Sequence, residues 1–116
     1  MIVGSRFEFK EHYGKDFALF ADGCRFTDDT LMTLAVARAL LLSKSNYDDL
    51  SELTVRVMKD LAKPYPRIGW GNMFYKWLFE KTKPYYSYGN GAGMRISPVG
   101  WVAESEEEVK NLSRKV

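Results

Sequence analysis

A chain of 116 residues is long enough for one domain with a modest core. Hydrophobic residues make up 46% and charged residues 28%, a balance that excludes a disordered polar chain. Seventeen Lys+Arg against fifteen Asp+Glu leave a net charge of +2, too small to point to nucleic acid, and the single cysteine, Cys24, excludes an internal disulfide and fits a reducing, cytoplasmic setting.

In chain order, the first residues, Met1-Ile2-Val3-Gly4-Ser5-Arg6, lack the basic-then-apolar pattern of a secretory leader. Phe7-Glu8-Phe9-Lys10 alternates, but it is too short to argue for a strand. A helix is predicted from Asp28 to Leu42, apolar on nearly every side; such a helix must bury most of its surface. A second is predicted from about Tyr47 to Ala62, with Leu50, Leu53, Val57 and Leu61 forming an apolar stripe, Asp48 and Asp49 at its positive end, and Pro64 and Pro66 beyond its stop. A third is predicted over Gly71 to Lys81, with Trp70, Met73, Phe74, Trp77 and Leu78 on one face. Tyr85 to Arg95 reads as a glycine-rich turn. A last helix begins at Ser105, where Ser105 and Glu108 form a capping box and Val109, Leu112 and Val116 the apolar stripe. No uncharged apolar run approaches the roughly 18 residues of a membrane span. Without a strand pattern, an internal repeat or a linker, the chain reads as a single all-α domain over residues 1–116, with no membrane and no nucleic-acid partner.

Two segments can carry chemistry. Phe26-Thr27-Asp28-Asp29-Thr30 sets two carboxylates and two hydroxyls at the entrance of the apolar helix. These are oxygen donors of the kind Mg²⁺ takes, usually with retained waters. The same residues are good caps, and capping alone accounts for such a helix start more often than a metal does. Gly89-Asn90-Gly91-Ala92-Gly93-Met94-Arg95 can admit a phosphate close to the backbone, or serve simply as a tight turn. It is neither a Walker loop nor a dinucleotide fingerprint. Cys24 and His12 have no pattern placing them together as nucleophile and base, so a structural cysteine is expected. The aromatics between Trp70 and Tyr88, among Lys76, Lys81 and Lys83, are expected to be core rather than a nucleic-acid stacking surface.

Taken together, Val3-Gly4-Ser5-Arg6-Phe7-Glu8, Cys24-Arg25-Phe26-Thr27-Asp28-Asp29-Thr30, Gly69-Trp70-Gly71 and Gly89-Asn90-Gly91-Ala92-Gly93-Met94-Arg95 resemble the ADP-ribosylglycohydrolase family, which includes the enzymes that reverse dinitrogenase reductase modification. The two motifs F-T-D-D-T and G-N-G-x-x-M-R, in this order and separation, carry the likeness; it covers nearly all of this chain and less than half of a family member. The resemblance implies an orthogonal all-helical bundle around a centre of two Mg²⁺ ions, hydrolysing the bond between ADP-ribose and a protein side chain. It implies metal ligation by Thr27, Asp28 and Asp29, a base or gate near the reacting ribose at Glu8, and diphosphate contacts at Gly89, Asn90, Gly91 and Met94. Two departures stand out: Met1 occupies the place of a family Asp, and the sequence to Val116 contains no Asp-x-Asp-Thr motif to complete the metal pair. The expectation is therefore a truncated, N-terminal portion of the fold with weak or absent Mg²⁺ binding and no activity as an isolated chain. Its partners would be ADP-ribosylated protein or ADP-ribose, together with a second copy or the missing C-terminal half. A non-catalytic remnant that binds ADP-ribose or protein is the alternative.

Overall fold

The computed structural model describes residues 2–7, 10, 14–80 and 83–116, and among them there are helices and no strand. A 3-10 helix spans Val3–Phe7, and residues 14–26, mostly exposed and without helix or strand, lead into the first α-helix. Six α-helices follow among the described residues: α1 (Asp28–Leu42), α2 (Leu50–Ala62), α3 (Asn72–Phe79), α4 (Gly91–Arg95), α5 (Val99–Val102) and α6 (Glu106–Ser113).

The core is built on α1 and α2. Leu31, Met32, Ala35, Val36, Ala39 and Leu40 of α1 are buried, as are Leu50, Leu53, Val57, Met58 and Ala62 of α2. Small side chains at Ala35, Ala39 and Ala62 are fully enclosed, which lets the two helices approach closely. The helices run in opposite senses: Phe26, just before α1, meets Tyr65, just after α2, edge to face at 5.2 Å. Around this pair, Leu78 of α3, Val99 of α5 and Leu112 of α6 complete the buried cluster.

The predicted elements are recovered with informative differences. α2 begins at Leu50 rather than near Tyr47, because Tyr47 has φ 56°, which a helix excludes. The connection is instead fastened by Asp49, whose carboxylate accepts from Ser43 Oγ at 2.6 Å and from the Lys44 amide at 3.1 Å. α3 stops at Phe79, and Lys81 lies outside the described residues. The glycine-rich turn is helical over its second half, as α4. Ser105 accepts from the Glu108 amide at 3.1 Å as a capping box requires, but Glu108 Oε2 reaches back to the Glu104 amide, one residue earlier than the pattern implies. α1 departs most. It is apolar nearly all round yet buried on one side only, with Leu34 55% and Leu41 83% exposed.

Candidate functional site

The site is built at the end of the bundle where α1 starts and α2 finishes. Thr27 is extended (φ −121°, ψ 178°) and buried, and its amide donates to Thr30 Oγ1 at 3.2 Å. This reciprocal use of two threonines turns the chain sharply into α1 and fixes the next two residues in the first helical turn. Asp28 and Asp29 are both half-buried there. Asp28 Oδ1 accepts from the Asp29 amide at 3.0 Å, and the capping role read from the sequence is carried by the Thr27–Thr30 box.

The glycine segment is brought to the same end. Asn90 precedes the first turn of α4, its carbonyl accepting from the amides of Gly93 at 2.9 Å and Met94 at 3.3 Å. The Gly89 amide donates to Ser87 Oγ at 3.0 Å. α4 packs on α1 through Thr33, whose hydroxyl lies 2.8 Å from the Asp29 carbonyl and 3.4 Å from the Met94 carbonyl. One side chain thus joins the turn carrying the two carboxylates to the helix that ends the glycine segment. Neither backbone conformation nor packing explains the glycines: no positive φ occurs at 89, 91 or 93, and a Cβ on Gly91 or Gly93 would meet nothing within 4 Å. What a glycine still provides at such a place is room for close approach to the backbone.

The N-terminal segment is stitched on by Ser5. Its buried hydroxyl donates to the Ile2 carbonyl at 2.7 Å and accepts from the Arg25 amide at 2.9 Å, two residues ahead of Thr27. Arg6 lies over the rings of Phe7 and Phe17 and donates to the Ala18 carbonyl. Glu8 and His12 lie outside the described residues. Cys24 is a free thiol, with Sγ 4.0 Å from the Leu19 carbonyl.

On the far side of the loop, Trp70, Phe74 and Trp77 form an aromatic run packed against the core. Phe74 and Trp77 stack at 5.4 Å and Lys59 sits over Trp77 at 4.8 Å, so these three rings are part-buried against the core. Tyr75, Tyr86 and Tyr88 of the same stretch, expected to be core, are exposed, because the chain beyond α3 runs on the surface. Arg95, at the end of α4, lies over Phe74, 6.0 Å from the ring centre. Burial lowers the Arg95 pKa and raises that of Tyr85 beside it.

Ser5 and Thr33 are the participants that sequence reasoning missed, while Thr30 and Arg95 stood inside the two candidate segments without the contacts described here. Thr30 was within reach, since it stands at the position where a capping box carries Glu or Gln. Ser5 and Thr33 act across separations of 20 and 61 residues, and no local pattern announces them.

For Mg²⁺, the chemistry of the donor set fits in kind: two half-buried carboxylates with a buried hydroxyl at Thr27. It is sparse in number, since the described residues bring no three His, Cys, Asp or Glu side chains together. The ADP-ribosylglycohydrolase family model matches residues 2–116. The chain belongs to that family. No curated protein and no solved structure matches it significantly. As an ADP-ribosylglycohydrolase-like chain it has helices as its only regular structure among the described residues, and none of them is long and apolar enough to cross a membrane.

Proposed function

We propose that this chain carries one wall of a magnesium-dependent site that cleaves ADP-ribose from modified protein side chains. The observation behind it is the meeting of the Thr27-Asp28-Asp29 turn and the Gly89–Met94 segment at one end of α1, joined through Thr33. Thr27, Asp28 and Asp29 would hold the metal, and Gly89, Asn90, Gly91 and Met94 would border the diphosphate. Glu8 is assigned as the group that manages the proton of the attacking water. Bound Mg²⁺ supplies a positive field that orients ribose hydroxyls and water. In the reaction, water oxygen bonds to the anomeric carbon as the bond to the side-chain heteroatom breaks, and a proton passes to the departing side chain. The transition state has oxocarbenium character, so the residues of this chain act mainly by fixing the ribose and excluding wrong approaches. The lone free cysteine suits a cytoplasmic setting.

Affinity for Mg²⁺ depends on the number of carboxylates, because the ion gives up its waters reluctantly. With Asp28 and Asp29 as the local pair, the isolated chain is expected to bind Mg²⁺ weakly and to release no measurable ADP-ribose. The same scarcity favours a second reading, a module that binds ADP-ribose or modified protein without turnover. The test is ADP-ribose release from modified protein in excess Mg²⁺, run beside the Asp28→Asn/Asp29→Asn variant, with ADP-ribose binding followed in parallel. Binding without release supports the second reading. Robust release abolished in the variant would show that the chain assembles a working centre and that the carboxylate argument is wrong. Neither binding nor release would remove ADP-ribose as the ligand.

A further inference from the structure

We propose that Thr33 is a positioning residue that couples the two halves of this site. A cation held at Asp28 and Asp29 turns the Thr33 hydroxyl toward the Met94 carbonyl and so seats α4 on α1; the inference rests on the metal-holding role proposed above. A threonine hydroxyl has a single proton and rotates to whichever acceptor suits it. Thr33 Oγ1 has two in reach, the Asp29 carbonyl at 2.8 Å and the Met94 carbonyl at 3.4 Å. The two acceptors are not in equal need. The Asp29 carbonyl lies in the first turn of α1, where the helix supplies its own donor, the amide four residues on. The Met94 carbonyl stands four residues before Pro98, which has no amide to give. Among the described residues, the Thr33 hydroxyl is the donor that reaches it. The same proton is thus open to a carbonyl already served and to one left short.

Charge decides which acceptor wins. Asp29 supplies both the carbonyl that Thr33 reaches and one of the two carboxylates, one helical turn from Thr33 on the same face. The carboxylates draw the hydroxyl proton toward that end of α1, where the contact is the shorter of the two. A bound cation is the largest local charge in such a site, and hydroxyl dipoles orient in its field. It repels the proton from the Asp29 side and favours the orientation toward Met94. The gain falls on α4, which packs directly on α1, so the glycine segment is held closer to the turn when the cation is there. Cation and segment then assist each other, each by the same factor, as linkage requires.

The test is titration of Mg²⁺ into the isotope-labelled chain, followed by NMR at the Met94 carbonyl and at the Asp28 and Asp29 amides. In the wild type the Met94 carbonyl carbon should move downfield, as a carbonyl gaining a hydrogen bond does, with the midpoint of the Asp28 and Asp29 amides. Thr33→Val keeps the shape and removes the proton, so the two amides should still respond while the Met94 response is lost. Thr33→Ser returns the hydroxyl and should restore it. A Met94 carbonyl that stays still or moves upfield, a response that survives in Thr33→Val, or no response to Mg²⁺ at either end would overturn the proposal. The wild-type carbonyl reading needs no variant, so it decides the matter even if Thr33→Val fails to fold. ADP-ribose titrated with and without Mg²⁺ separates this inference from the function. The gain in affinity that Mg²⁺ gives should shrink roughly three- to tenfold in Thr33→Val, the span of one neutral hydrogen bond. A gain that depends on Asp28 and Asp29 yet is unchanged in Thr33→Val leaves the function standing and sinks this inference. A Met94 response that runs through Thr33, without ADP-ribose binding, removes the ADP-ribose reading and leaves Thr33 as the link.

Discussion

Thr27 and Thr30 hold the carboxylates at the start of α1, and their contribution can be measured apart from any metal. Replacing Thr30 with Val keeps the shape but removes the acceptor for the Thr27 amide. It should lower stability by about 1 kcal/mol in urea unfolding, as lost caps do, and an unchanged midpoint would show that this pairing is incidental. Asp49 gives a prediction with a sign. The Ser43 hydroxyl, and after it the Lys44 amide, hold its carboxyl below the ordinary value of 3.8. A depressed carboxylate contributes stability that is fully present above the unfolded pKa and lost as pH falls through the lower folded value. Stability of the wild-type chain should therefore decline below pH 3.8 more steeply than that of Asp49→Asn, as read from thermal unfolding at a series of pH values. Parallel curves would assign the acid limb to other groups. At this scale the sequence was legible where the partner is local: the Asp28-Asp29 turn reads as a helix start, and is one. Ser5 was opaque because its partner, the Arg25 amide, is placed by the fold rather than by any spacing.

Helices were legible where periodicity and punctuation agreed. α2 shows its stripe and its terminating prolines, and α6 its serine cap, and both form where expected apart from ends displaced by a few residues. Two kinds of element escaped. α4 and α5 are too short to show a period, and they exist because residues near them pack: Val99 is fully buried, and Thr33 reaches the Met94 carbonyl. The nearly uniform hydrophobicity of α1, in turn, gives no moment to say which side is covered. The structure answers that the covered side is the one with the alanines. Ala39 is wholly enclosed in the α1 and α2 cluster, so Ala39→Leu should force the helices apart and cost about 1–3 kcal/mol in denaturant unfolding. Ala37→Leu, on the partly exposed side of the same helix, serves as the control and should cost far less. Equal effects would contradict the close approach of the two helices.

The whole molecule is more open than its mass requires. Its accessible surface is 8676 Å², whereas a compact monomer of 13.4 kDa would expose about 6,500 Å². Its radius of gyration is 15.6 Å, against about 13 Å for a compact chain of this length. The excess surface, on the order of 2,000 Å², exceeds the roughly 800 Å² that one partner contributes to a standard interface. The apolar Trp70–Leu78 face is largely taken up internally, with Phe74, Trp77 and Leu78 packed on the core. The uncovered side of α1 remains. There an apolar groove of about 360 Å³ runs between α1 and α5, lined by Ala37, Leu40, Leu41, Pro98, Trp101 and Val102. Leu41 is 83% and Trp101 89% exposed along it, and contiguous apolar surface of this kind drives association. The groove reaches Thr33, the link between the two site segments, but Leu41 and Trp101 lie outside the residues assigned to metal and diphosphate, so they can be changed on their own. The isolated chain should form dimers or larger species whose mass by light scattering rises with concentration. Leu41→Glu with Trp101→Glu should shift it toward monomer, because closing the groove would then bury charges without partners. The fold itself should survive, since neither side chain belongs to the buried cluster. A wild-type chain that stays strictly monomeric at high concentration would show that this face is tolerated in water and needs no partner.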